Sequence, residues 1–161
     1  MLLTQDLTMT RVENEPPVRA KCSSFSQFVQ MHETAVFTFC YRILANGRVA
    51  EMVAETAFLD ASAHFPDVSL INVLATARRR CRDQLQRGGF VTETAVADIQ
   101  SLFNNLPLPE REALALRYGC KLNFDEIAHV LETSCAVVRA TLRQGRWRIA
   151  GLEQTRQSHL N

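Results

Sequence analysis

The sequence predicts an all-α protein made of two small helical units on a short tether, and three observations predict it. Apolar residues recur at helical spacing through the structured stretches, small polar residues stand where helices need caps, and Gly88-Gly89 divides the pattern in two. At 161 residues the chain has room for one compact domain or two small ones, each near the lower size at which a core sustains itself. With 47% hydrophobic and 22% charged residues, wholesale disorder is excluded.

Residues 1–22 carry Pro16-Pro17 and no apolar period, which reads as a loose tail. Ser24, with Gln27 three positions on, reads as the capping box of a first helix whose Phe25, Phe28, Val29, His32, Val36, Phe39 and Ile43 form one stripe. The glycine of Asn46-Gly47 is expected to end it. A second helix is expected over about 49–64, with Val53, Ala54, Ala57, Phe58 and Ala61 inward and Pro66 as its stop. After a short loop at 65–68, Ser69 caps a third helix with Leu70, Val73, Leu74, Ala77, Cys81 and Leu85 on one stripe. That stripe is expected to push most of the run Arg78, Arg79, Arg80 and Arg82 onto the wet face.

The glycine pair opens a tether at 88–95, so the first unit is 23–87. Helical pattern resumes at 96, pauses at Leu106-Pro107-Leu108-Pro109 and restarts at Glu110. Asn123 and Glu126 predict a capping box for a helix over 124–131, Glu132-Thr133-Ser134 a tight turn, and Ser134 the cap of a final helix from Cys135 towards Leu152. The second unit is then 96–153, with a tail at 154–161.

Net charge is only +1, from 18 Lys plus Arg against 17 Asp plus Glu, so the total reveals no nucleic-acid partner. Distribution does: positive charge gathers in the Arg78–Arg82 run and again at Arg139, Arg143, Arg146 and Arg148. The five cysteines are odd in number and scattered, without a CxxC pair, which reads as reduced thiols with no disulfide framework or metal. No apolar run approaches the ~18 residues of a membrane span, and the start lacks the form of a signal peptide, so neither secretion nor membrane insertion is expected. Glu51, Glu55 and Asp60 come with no nucleophile, glycine loop or metal set, and read as a solvated face. Neither enzymatic activity nor a cofactor is expected. His32 reads as a rim histidine, and Trp147 as a core or interdomain anchor.

A short helix, a tight turn and a longer basic helix have the layout of a helix-turn-helix. The second helix of such a unit docks by one side and reads DNA by the other. Val138, Leu142 and Ile149 supply the first side, while Arg139, Arg143 and Arg146 fall at i, i+4 and i+7 on the second. On composition alone these arginines are ordinary solubilising charge; it is their place on this helix that points to DNA.

Residues 106–146, LPLPEREALALRYGCKLNFDEIAHVLETSCAVVRATLRQGR, resemble region four of the sigma factors of the extracytoplasmic-function group. The stretch FSQFVQMHETAVFTFCYRILANGRVAEMVAETAFLDA resembles region two of the same family, and ATARRRCRDQL matches its next motif except that Arg79 stands in place of an asparagine. The resemblance implies a bacterial, cytoplasmic promoter-specificity subunit that binds RNA polymerase core and promoter DNA and is held by an anti-sigma protein. It implies that Arg139 and Arg143 contact bases or phosphates of the upstream promoter element, with Arg146 on phosphate. It implies too that Arg78, Arg79, Arg80 and Arg82 lie along the melted strand, and that loop 65–68 receives an unstacked base. Polymerase docking would fall on Glu51, Met52, Glu55 and Thr56, although Met52 and Thr56 stand where the family has acids. Thr141 replaces a common arginine, and Gly145 interrupts the last helix at a cost of about 1 kcal/mol relative to alanine. The alternative is a sigma mimic that sequesters an anti-sigma protein without supporting transcription.

Overall fold

The structure, a computed structural model, describes residues 22–93 and 99–159. Helices α1 (Phe25–Leu44), α2 (Gly47–Ser62), α3 (Leu70–Arg87), α4 (Ile99–Asn104), α5 (Leu108–Leu114), α6 (Phe124–Leu131) and α7 (Cys135–His159) follow in order, and a π turn, Ala115–Gly119, continues α5. No strand occurs among the described residues, so the all-α class holds. The expected leading tail, Cys22 apart, and the last two residues of the expected tether lie outside the described residues.

Local chemistry sets most boundaries. The Ser24 side chain accepts from Gln27 N–H, but the Gln27 side chain turns to Ser23 instead of closing the box. Asn46-Gly47 does not end α1 in the expected way. Ala45 takes the left-handed conformation at φ 50°, the Asn46 side chain accepts from Val49 N–H, and Gly47 is already the first residue of α2. The Asn123–Glu126 box forms as expected, and the expected cap Ser69 goes further, closing a full box with Asn72. Helix α3 ends at Gly88, whose φ of 65° suits a residue without Cβ. Helix α7 runs past 153 to His159, because 152–157 hold good helix formers and no proline.

Helices α1, α2 and α3 pack against one another around Val36, Phe39, Ile43, Val53, Ala57, Val73 and Leu74. Helices α5, α6 and α7 with the π turn make a second group around Leu114, Leu116, Ile127, Val130 and Val138. The groups share one core: α1 packs on α4, α5 and the π turn, and α3 on α6. Polar contacts reinforce the seam at the exposed carbonyl end of α1. Gln100, wholly buried, donates to the Arg42 carbonyl at 3.2 Å and accepts from the Arg42 guanidinium at 3.0 Å. Arg111 donates to the Ile43 carbonyl at 2.9 Å. These bonds satisfy carbonyls that a helix leaves unpaired at its end. The start of the tether is strapped to the same corner: Gly47 N–H donates to the Glu93 carboxylate at 2.9 Å, and Asn46 donates to the Val91 carbonyl at 2.9 Å.

Candidate nucleic-acid interface

The α6–turn–α7 unit is assembled by its turn. Glu132 adopts the left-handed conformation at φ 54°, Thr133 N–H closes onto the Ala128 carbonyl at 3.0 Å, and the Ser134 hydroxyl accepts from Val137 N–H at 3.3 Å. Val138 and Leu142 of α7 are buried and Ile149 half-buried, so the docking side is the expected one. Arg139, Arg143 and Arg146 are exposed on the other side. Arg139 lies over the Phe124 ring, its Cζ 5.1 Å from the centroid, and Arg146 donates to the Tyr118 hydroxyl at 3.3 Å. Arg148 is set apart by an ion pair to the buried Glu110 at 3.0 Å.

Gly145 is not a defect in this helix. It is buried against α5, and a Cβ there would come within 2.8 Å of Leu114 Cδ1. The expected anchoring role of Trp147 is overturned, since its side chain is 79% exposed. The helical turn places it on the outer side, one position past the last arginine of the stripe.

The α3 arginines divide. Arg79 is exposed and donates to its neighbour Thr76 at 3.3 Å. Arg80 reaches Asp60 of α2 through Nε at 3.0 Å. Arg78 leaves the wet face, and Arg82 stays at its margin. Both turn to Glu112 of α5, whose side chain is 1% exposed; Arg82 binds it at 2.7 and 2.8 Å, and Arg78 Nε lies 3.2 Å away. The Glu112 hydrogen bond raises the Arg82 pKa above its ordinary value, against the opposing effect of burial. The reason is periodicity: Arg78 lies four residues from Leu74 and three from Cys81, at the edge of the buried stripe, and Arg82 follows one turn on. Sequence reasoning quoted Glu112 within a motif but gave it no role.

Loop 65–68 is held by Phe65, edge-on to Phe25 at 5.8 Å, and the Phe65-Pro66 bond is cis. It borders a hollow of 540 Å³ lined by Phe28, His32, Pro66 and Leu70, with Leu122 and Glu126 of the second group on its far side. His32 stands edge-on to Phe28 at 4.7 Å as a rim residue, and burial lowers its pKa. On the opposite flank Glu51, Met52 and Glu55 are exposed, while the Thr56 hydroxyl donates to the Met52 carbonyl at 2.7 Å. Glu51 and Glu55 border an apolar groove of 630 Å³ between α1 and α2, floored by Val29, Phe37 and Phe58.

None of the five cysteines is in a disulfide. Burial pushes the Cys120 thiol up to about 12, and a hydrogen bond with Cys40 followed by burial raises Cys81 well above the usual range. These are packing thiols. Among the described residues no helix is long and apolar enough to cross a membrane.

Two helical groups, one of them laid out as a helix-turn-helix with an exposed basic stripe, make a helical protein of two-part build. Residues 97–149 match the family model of sigma-70, region 4. The fold is that of the sigma factor RpoE from Bartonella quintana, solved with the anti-sigma factor NepR: TM-score 0.70 and 16% identity, over 81% of this chain and 96% of that one. CnrH, solved with the cytosolic domain of CnrY, has TM-score 0.70 and 19% identity over 81% of this chain and 88% of that one. No curated protein sequence matches the chain significantly. Residues 97–149 are thus similar to a sigma-70 region 4, and over 81% of its length the chain shares the fold of these two proteins.

Proposed function

We propose that this chain is a promoter-specificity subunit: it binds RNA polymerase core, reads the upstream promoter element with α7, and engages the melted start-proximal strand with α3 and loop 65–68. On this reading 23–87 is region two, 88–95 the tether and 96–153 region four. The observation that carries it is the exposed stripe of Arg139, Arg143 and Arg146 on the second helix of the segment that matches sigma-70 region 4. Guanidinium groups so placed can bond guanine edges or backbone phosphates. The acid-rimmed groove beside Glu51 and Glu55 supports polymerase docking there. An anti-sigma partner is supported by the likeness to a sigma factor solved with one.

The same reading needs a change of arrangement. With Arg78 and Arg82 on Glu112, and Leu122 and Glu126 facing loop 65–68, the second group engages two of the four α3 arginines and stands against the loop, while Arg79 stays exposed. Binding energy from polymerase and promoter would have to part the two groups, and capture of an unstacked base would then repay some of the melting cost of a few kcal/mol. The experiment is run-off transcription with purified core. Specific transcripts that vanish when Arg139 and Arg143 are both replaced by alanine support the role; no transcript with the unaltered chain overturns it. The absence of acids at Met52 and Thr56 favours the sigma mimic as a second reading, which requires tight anti-sigma binding and no transcript.

A further inference from the structure

We propose that Phe124 is a positioning residue for the recognition helix, holding the Arg139 guanidinium in place before DNA arrives. This rests on the reading of α7 as the DNA-contacting helix. Phe124 is the first residue of α6, fixed there by the Asn123–Glu126 capping box. Its half-buried ring packs against the core on one side and meets two guanidinium groups, Arg117 at 5.0 Å and Arg139 at 5.1 Å from its centroid.

The two cations differ in what else they do. Arg117 is tied down, donating to the Leu122 carbonyl at 2.8 Å, and so braces the turn that leads into α6. Arg139 is exposed and makes no hydrogen bond or ion pair among the described residues, so its donors point to solvent while the aromatic face carries its body. Arg143, one turn further along the stripe, has no such ring. An arginine restrained before binding loses less freedom when it closes on a base or phosphate, so pre-organisation appears as affinity. At an exposed site such a contact is worth about a two- to fivefold change in binding. This assigns Arg139 and Arg143 different work: Arg139 is a fixed reader, and Arg143 an adaptable one.

The test uses the full chain in two measurements. The first is NMR of the arginine side chains without DNA: Arg139 should show ring-shifted methylene protons and a slower Nε–H than Arg143, and F124L should abolish both differences. An Arg139 as mobile as Arg143 in the unaltered chain overturns the proposal, whatever the DNA result. The second is a double-mutant cycle on an upstream-element duplex, with F124L, R139A and both together. F124L should weaken binding about two- to fivefold in the unaltered chain and leave R139A unaffected, while F124Y keeps full affinity. A loss of the same size in the R139A background, or in F124Y, makes Phe124 merely structural and sinks the idea. Failure of the unaltered chain to bind any promoter duplex instead overturns the assignment of α7, and the NMR comparison still decides whether Phe124 fixes Arg139.

Discussion

Arg82 holds Glu112 through two parallel hydrogen bonds, Nε to Oε1 at 2.7 Å and Nη2 to Oε2 at 2.8 Å, across the seam between the two helical groups. The fork of a guanidinium fits carboxylate and phosphate alike. Glu112 therefore occupies, from inside the protein, a place that a backbone phosphate takes on the proposed function. Arg78 lies on the same carboxylate with its side chain 13% exposed, so Glu112 itself is shut away from solvent between two guanidinium groups.

Replacing Glu112 by glutamine should loosen this seam. The change leaves Arg78 buried beside a neutral partner, while Arg82, 39% exposed, rehydrates. Breaking a buried pair costs about 3–5 kcal/mol, and rehydration of Arg82 puts the expected loss near the lower end of that range. If the two groups are held together by as little as about 1.4 kcal/mol, removing the hold raises the open fraction about tenfold. Small-angle scattering should then report a larger radius of gyration, and binding to a forked promoter fragment should tighten by about that factor at fixed salt. Unchanged scattering together with unchanged affinity would remove the gating role of Glu112.

Alanine at both Arg139 and Arg143 should act on DNA and not on the fold, since both side chains are exposed. Each phosphate contact contributes about 0.9 to the slope of log affinity against log salt, so the double variant should lower the slope by up to about two. Thermal unfolding should stay within about 0.5 kcal/mol of the unaltered chain. An unaltered slope with an altered base preference would move both arginines from phosphate to base edges.

What the sequence made legible was local. The cap at Ser69, the box at Asn123, the turn at 132–134 and the apolar side of α7 depend on residues a few positions apart, and all are found where expected. Glu112 is thirty residues from Arg82, and only the packing of α3 against the second group brings them together. Most of the arginine run is wet as expected, but Arg78 is drawn in for the same reason: a stripe has an edge, and a partner decides what lies on it. Asn46-Gly47 was misread because two helices meet there with almost no loop, so the glycine that usually follows one helix instead begins the next.

Trp147 is the sole tryptophan, and its exposure makes a simple optical test. Its emission should be that of a solvated indole, readily quenched by acrylamide, and should shift little on unfolding. A blue-shifted, protected emission would restore an anchoring role and require a partner surface over α7.

Stability should fall at both ends of the pH range, for opposite reasons. Burial lowers the His32 pKa, so as pH drops through about 6.5 the unfolded chain takes up the proton more readily and the folded state loses ground. Burial raises Cys120 to about 12 from 9.0, so between those values the unfolded chain releases its proton first and stability falls as pH rises. For one thiol the slope is at most about 1.4 kcal/mol per pH unit. Urea midpoints should be flat between about pH 7 and 9 and decline on either side, and C120A should lessen the alkaline decline. Cys120 should also resist alkylation at pH 8 until the chain unfolds; rapid labelling in the folded protein would contradict its burial.

The two glycines of α7 should respond oppositely to alanine. Helix propensity alone favours alanine by about 1 kcal/mol at each. At Gly151 the added Cβ would meet nothing within 4 Å beyond its own helix backbone and chain neighbours, so G151A should stabilise by a few tenths to about 1 kcal/mol. At Gly145 the Cβ would meet Leu114 Cδ1 at 2.8 Å, Leu114 Cγ at 3.3 Å and Glu110 Cβ at 3.4 Å, so the buried Leu114 side chain and α5 behind it would have to shift together. Overpacking of a filled core costs about 1–3 kcal/mol, which outweighs the gain in propensity and leaves G145A less stable by about 1 kcal/mol. Because Gly145 lies between Arg143 and Arg146, the strain would also shift α7 against α5, so G145A should weaken upstream-element binding where G151A does not. Chemical denaturation of both variants and duplex titrations at one salt concentration check the pair, and a stabilised G145A would mean that α7 is free to ride away from α5.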